Sequence, residues 1–292
     1  MDYSIITDTS ANLPSAQISK NFISVIPFSI YINETEYTCL DSDNFDAAEY
    51  YTWMTENRKI TTSQITPYHY ISFFKPFLEA EKDILFIGIS SGISGSFTSA
   101  EIAAEQLRED YPERIIRLVD SLGASLGEGL LVLKATECKK AGMTINETAD
   151  ELLRVRYQMY QVFTVHDLKY LHKGGRLSNP TAIVGSILNI KPILKGDNSG
   201  KIVSIEKVRG RKRTIQTLAS KYSALVVRPE IQTIGISHAN CHEDAEILAD
   251  LISNANPPKE IMIVDHEPVT GSYLGPGALA LYFQGSPNVR EY

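Results

Sequence analysis

Residues 84–101 read ILFIGISSGISGSFTSAE: an apolar run, then a loop of serines and glycines, then a helical pattern. A continuous apolar stretch of this length suits a strand buried on both faces, and 98–109 continues as a helix. A strand that passes into a helix through a Ser/Gly loop is the repeating unit of an α/β domain. Working outward, 3–8 (YSIITD), 24–32 (SVIPFSIYI), 83–89 (DILFIGI) and 114–120 (RIIRLVD) read as strands. Helices are expected at 124–141 and 145–159, with Gly142 as the stop signal between them. Strands alternating with helices predict a parallel, doubly wound sheet whose ligands collect at the carboxyl ends of the strands. Asp8-Thr9-Ser10 and Asp120-Ser121 each stand at such an end.

Beyond residue 159 the grammar changes. A strand at 161–165 and a short helix at 167–172 lead to two strands, 191–194 and 201–208. The segment Gly196-Asp197-Asn198-Ser199-Gly200 between them is a hairpin signal. A helix (212–222), a strand (233–237), a helix (243–253) and a strand (260–264) are expected to close the chain. This grammar predicts a mixed sheet with helices on one face. The expected organisation is two α/β domains: a parallel (α/β/α) domain over 1–159 and a mixed-sheet domain over 160–292.

Bulk properties narrow the function. The 292 residues, 43% hydrophobic and 22% charged, are those of a globular protein with ordinary cores. A net charge of −7 argues against general nucleic-acid binding. Cys39, Cys138 and Cys241 lie far apart and form neither a C-x-x-C pair nor a disulfide framework, which fits a reducing cytoplasm. The start, MDYSIITDTS, lacks the apolar core of a signal peptide, and no run reaches the ~18 apolar residues of a membrane span. LYFQGS near the C-terminus looks like a protease-tag scar, but its flanking residues read as native sequence.

The loop after 84–89 poses the functional question. Gly88-Ile89-Ser90-Ser91-Gly92 matches the G-x-S-x-G elbow of serine hydrolases. In such an elbow the helix begins at once. Here Ile93-Ser94-Gly95-Ser96 intervenes, and Ser94, Ser96 or a Thr98/Glu101 capping box is expected to start the helix. His238, His242 and His266 are the late histidines, and none completes a convincing acid–histidine order. No dinucleotide, P-loop or H-E-x-x-H signature is present, and no cofactor or metal is expected. Asp265-His266-Glu267 reads as a solvated turn, because adjacent residues on a strand face opposite sides. A holding role explains more. The Ser90–Ser96 loop, Thr61-Thr62-Ser63-Gln64 and Tyr273-Leu274-Gly275-Pro276-Gly277 are three loops able to offer hydroxyls and backbone N–H groups to an anion. Turn and cap chemistry explains any one of them alone.

Short segments spread along the chain carry a resemblance. They are Ile6-Thr7-Asp8-Thr9-Ser10, Thr61-Thr62-Ser63-Gln64, Ser90-Ser91-Gly92-Ile93-Ser94-Gly95-Ser96, and Asp120-Ser121. Further on come Asp167-Leu168-Lys169-Tyr170-Leu171-His172-Lys173-Gly174-Gly175-Arg176, Leu188-Asn189-Ile190-Lys191-Pro192-Ile193-Leu194, Lys207-Val208-Arg209-Gly210, and Gly275-Pro276-Gly277-Ala278-Leu279. In this order they resemble the DegV family, bacterial fatty-acid-binding proteins that serve a fatty-acid kinase. The resemblance implies a long-chain fatty acid in a tunnel between two domains. It implies no catalysis by this chain and no stable membrane insertion. A separate fatty-acid kinase would phosphorylate the bound carboxylate, and an acyltransferase would pass the acyl phosphate into phospholipid synthesis. The family's head-group threonine and serine fall on Thr62 and Ser94, with Ser63, Gly95 and Ser96 counted in the same site. Where many relatives carry a histidine this chain has Tyr273, a neutral donor near pH 7. The resemblance further implies that Arg176 meets the kinase, with Lys207 and Arg209 in a downstream basic cluster that guides association.

Overall fold

The computed structural model describes residues 2–39, 45–56, 58–178 and 189–292; Leu188 of the LNIKPIL segment lies outside them. The first half runs β1 (Tyr3–Asp8), α1 (Ser15–Asn21), β2 (Ser24–Ile26), β3 (Phe28–Ile32), β4 (Thr35–Cys39), α2 (Ala47–Thr55), β5 (Ile60–Ser63) and α3 (Pro67–Glu79). It continues with β6 (Asp83–Gly88), α4 (Ser96–Asp110), β7 (Ile116–Asp120), α5 (Leu126–Lys140) and α6 (Ile145–Val155). Strands β2-β1-β6-β7 form a wholly parallel sheet in that order. All six residues of β6 are buried, as its unbroken apolar run requires of a strand covered on both faces. Helices α3 and α4 pack on β6 and β7 from one side, and α5 and α6 from the other.

The strand expected over 24–32 is two strands in two sheets. Pro27 stands between them, and with no N–H it cannot continue a ladder. β2 joins the parallel sheet, while β3 turns away into a small antiparallel sheet of order β4-β3-β5 that the sequence reading missed. The expected 145–159 helix also stops short. α6 ends at Val155, and Met159 opens the next strand.

The second half runs β8 (Met159–Thr164), α7 (Lys169–Lys173), β9 (Ile190–Gly196), β10 (Ile202–Arg209), α8 (Arg211–Leu225), β11 (Thr233–His238), α9 (His242–Ala255), β12 (Glu260–Asp265), α10 (Pro268–Leu274) and β13 (Leu279–Gln284). Its sheet has the order β10-β9-β8-β13-β11-β12, and only β11 and β12 pair in parallel. β12 does not close the chain. β13, which contains the tag-like LYFQ, threads back between β8 and β11 as an interior strand of the sheet, so these residues belong to the fold. α8 and α9 cover one face of the sheet. On the other, α5 of the first half packs against β8, β11 and β13, so this face is covered too.

Two contacts tie the halves together near the hairpin turn. Gly200 has φ +71°, which its lack of a Cβ allows, and its carbonyl accepts the Ser90 hydroxyl at 2.9 Å. Buried Arg290 donates to the carbonyls of Leu122 (2.9 Å), Asp197 (3.0 Å) and Met159 (3.1 Å).

Candidate ligand-binding site

A cavity of about 160 Å³ lies between the carboxyl ends of the first-half strands and the face of the second sheet. β5 contributes Thr62 and Ser63, and the following residue Gln64. The loop after β6 contributes Ile89, Ile93, Ser94 and Gly95. The loop after β7 contributes Leu122, Gly123, Ala124 and Ser125. Opposite them stand Gln161 and Phe163 of β8, Ile202 of β10, Tyr282 of β13, and Val269, Thr270, Tyr273 and Leu274 of α10. This is where a doubly wound sheet collects ligands.

One part of the wall gathers donors. Thr62 Oγ1 and Tyr273 Oη lie 2.6 Å apart and share a single hydrogen, so the pair keeps one hydroxyl hydrogen for a ligand. Ser94 Oγ accepts from Ser96 N and donates to Ser96 Oγ, both at 3.2 Å, long for a hydroxyl and easily exchanged. The Arg176 guanidinium lies 4.4 Å from the Tyr273 ring centre. Its Nε donates to Ile93 O at 3.1 Å and Nη1 to Gly174 O at 2.5 Å, which among the described residues uses two of its five N–H groups. Among the described residues that line the cavity none is Asp or Glu. Hydroxyls, a guanidinium and no carboxylate make this end complementary to an anion.

Thus Thr62, Ser63, Ser94, Gly95, Tyr273 and Arg176 meet around one cavity. Ser96 does not line it. Its buried hydroxyl accepts from Ile65 N at 3.1 Å, a structural bond that docks β5 against the start of α4. That helix opens at Gly95 without a side-chain cap, so Thr98 lies inside it and forms no capping box. Lys207 and Arg209 are exposed on the edge strand β10, away from the cavity lining. Arg176, expected at a partner surface, is half-buried in the cavity wall. Tyr273 lies on a helix rather than a loop, which aims its ring across at Thr62.

Of the Asp265-His266-Glu267 trio, expected as a solvated turn, only Asp265 is exposed; His266 and Glu267 are 2% and 4% exposed. Glu267 caps α10, accepting from Val269 N and from Thr270 N at 2.8 Å. An acidic cap followed by proline at the first helical position is a start signal the sequence did contain. Burial pushes His266 down to about 3 and Glu267 up to about 7. A single directed chain of hydrogen bonds runs behind the cavity. Tyr282 Oη meets Ser237 Oγ (3.1 Å), and beside it Asn12 Nδ2 donates to Ser125 Oγ (3.0 Å). Ser237 Oγ meets His266 Nδ1 (2.7 Å), His266 Nε2 meets Thr270 Oγ1 (2.7 Å), and Thr270 donates to Glu267. The carboxylate at the end fixes the direction, so each hydroxyl of the chain donates once and His266 is neutral. The polar lining residues Tyr282, His266 and Thr270 are therefore satisfied by this chain. An apolar chain can lie against them without stranding a donor.

The DegV family model, described as an uncharacterised protein family, matches residues 2–285. The chain belongs to the DegV family. A DegV domain-containing protein of Clostridium perfringens is 35% identical over 285 residues, covering 96% of this chain and 97% of that protein. Among solved structures, a fatty acid binding DegV family protein from Streptococcus agalactiae superposes with a TM-score of 0.86 at 30% identity, covering 98% of this chain and 99% of that one. A DegV family protein from Ruminococcus gnavus with vaccenic acid gives 0.85 at 28%, covering 96% and 99%. The parallel sheet followed by a separate mixed sheet is thus the DegV fold.

Proposed function

We propose that this DegV protein binds a long-chain fatty acid in the cavity between its sheets and presents the carboxylate to a separate kinase. The observation that carries the reading is the donor cluster of Thr62, Ser94, Tyr273 and Arg176 at one part of a cavity where Tyr282, His266 and Thr270 are hydrogen-bonded to Ser237, Glu267 and one another. An amphiphile with one anionic end has this complementarity. Burying ~14 methylenes at ~0.8 kcal/mol each gives on the order of 11 kcal/mol before the costs of association, so the tail suffices for affinity. The head-group donors then orient the chain and offset the desolvation of its carboxylate. The fatty-acid-binding relatives support the same reading. Residues 1–159 and 160–292 act in it as the two walls of the site. The acyl phosphate formed by the kinase would pass to an acyltransferase of phospholipid synthesis. Among the described residues no helix is long and apolar enough to cross a membrane, which suits a carrier that works in the cytoplasm.

The competing reading is a serine hydrolase using Ser90. That side chain is fully buried, donates to Gly200 O at 2.9 Å and accepts from Gly92 N at 3.1 Å. A hydroxyl engaged this way supports holding the loop rather than attacking a substrate. Organic extraction of the purified protein followed by mass spectrometry tests the choice. Copurified fatty acid is expected. A clean extract together with ester hydrolysis that disappears in Ser90→Ala would overturn the carrier reading.

A further inference from the structure

A second cavity, of about 430 Å³, lies beside the first along β3 and the start of α10. Its apolar lining includes Ile18 of α1, Val25 of β2, Ile30 and Ile32 of β3, and Tyr50 and Trp53 of α2. Burial alternates along β3, so Phe28, Ile30 and Ile32 share one face. Phe28 borders the first cavity, and its neighbours two and four residues on border the second. The start of α10 repeats the division. Glu267 and Pro268 border the second cavity, Val269 and Thr270 the first. The partition is firmly mounted: Phe28 N donates to Thr9 Oγ1 at 3.0 Å, Tyr50 Oη to Pro268 O at 2.8 Å, and Tyr51 Oη to His266 O at 2.7 Å. Of the four carboxyls that border the second cavity, Asp8 is engaged by Ser10 and Ile89 N, Glu267 by the first turn of α10 and Asp46 by Glu49 N, while Glu49 is exposed at the rim. To a ligand this chamber offers mainly hydrocarbon.

We infer that Phe28 is the residue that sets how long an acyl chain the protein accepts. The inference rests on the fatty-acid reading above. The ring is 2% exposed and keeps the acyl chain in the first cavity. With the ring removed, methylenes beyond the capacity of the first cavity would enter the second, where burial from water favours them.

The test is competition between palmitic acid (C16) and arachidic acid (C20) for the delipidated full chain, with the bound pool read by mass spectrometry. Phe28→Ala is expected to raise the bound C20:C16 ratio at least tenfold over the parent. Ile30→Phe, which fills the second chamber, is expected to leave the parent's ratio unchanged but to cancel the gain when combined with Phe28→Ala. A parent that binds palmitic acid while Phe28→Ala and the milder Phe28→Leu both keep its ratio would overturn the role of Phe28. If Phe28→Ala does not fold, Phe28→Leu alone decides, with a rise of about threefold expected and an unchanged ratio fatal. A parent that binds neither acid would defeat the carrier reading itself, and this inference with it.

Discussion

At the scale of single residues, proton counting defines the chemistry of the interior. Ser10 Oγ lies 2.5 Å from Asp8 Oδ1 and 2.7 Å from Glu128 Oε2, yet a hydroxyl has one hydrogen to give. One of the two fully buried carboxyls must carry a proton. Asp8 accepts from Ser10 N, Ser10 Oγ and Ile89 N, so it is the ion. Glu128, held well above the usual carboxylate range by burial and by Asp8, is the acid that donates to Ser10. Glutamine reproduces a protonated glutamate. Glu128→Gln should therefore melt at pH 7 no lower than the parent, whereas Asp8→Asn replaces one accepting oxygen with a donating amide nitrogen facing Ile89 N or Ser10 and should lose about 1–3 kcal/mol. The pH dependence follows in sign. Burial raises Asp8 to about 6 and Glu267 to about 7, and raises Glu128 further, so the folded protein holds protons that the unfolded chain has released. Their contribution is complete below the unfolded value of ~4.5 and is lost as pH rises towards 7. His266, lowered to about 3, acts oppositely between ~6.5 and 3. Three groups outweigh one, so thermal melts should show higher stability at pH 5 than at pH 7, with a smaller difference in Glu128→Gln. At the proposed head-group site, Ser94→Ala would remove one donor to the ligand's carboxylate. Fatty-acid titration should show affinity weakened by about 1.5–3 kcal/mol, roughly tenfold or more; undiminished binding would remove Ser94 from the head-group site.

At the scale of elements, the contact between the Ser90 loop and the β9–β10 hairpin joins the two halves. An alanine at Gly200 would occupy φ +71° and press its Cβ against the Ser90 hydroxyl. Gly200→Ala should cost roughly 1–3 kcal/mol from left-handed strain and this contact. Because the two residues touch, the cost should be smaller in a Ser90→Ala background. A double-mutant cycle by denaturant unfolding would measure that coupling, and strict additivity would show that the contact does not transmit strain. The start of α10 is a second junction. Glu267 caps it, Tyr50 and Tyr51 of α2 bond its first carbonyls, and one turn later Tyr273 reaches Thr62. Tyr273 is thus aimed by the helix. Tyr273→His should bring a binding transition near the imidazole range of ~6–7 that the parent lacks. Matching pH profiles of affinity in the two proteins would count against a head-group role for this position.

At the scale of the whole molecule, charge and cavity are separate. Lys207 and Arg209 project from an exposed edge strand, while Arg176 is half-buried in the cavity wall. The two sets should separate by assay. Lys207→Glu with Arg209→Glu should leave fatty-acid affinity unchanged and slow association with the kinase, and added salt should erase the difference. Arg176→Ala should instead weaken fatty-acid binding itself. Kinase association insensitive to the double reversal would move the docking surface elsewhere.

How much of this was written in the sequence depends on the range of the interaction. Apolar runs such as 84–89, the GDNSG turn and Gly142 are local signals, because strand burial, hairpin closure and helix termination are decided within a few residues. The order of short Ser, Thr and Gly segments likewise carried the family, and with it Thr62 and Ser94. The division of 24–32 into two sheets turned on Pro27, a breaker visible in the sequence whose strands nonetheless needed β1 on one side and β4 and β5 on the other. The tag-like LYFQ became an interior strand only because β8 and β11 flank it, and His266 and Glu267 were buried only because α2 and β13 close over them. The same holds for Arg176 and Phe28. Which wall a side chain joins depends on elements distant in sequence, and burial is a property of that packing rather than of the residue. The sequence alone determined the local elements, the family and the hydroxyl clusters; tertiary packing decided which of those groups face one cavity and which satisfy one another.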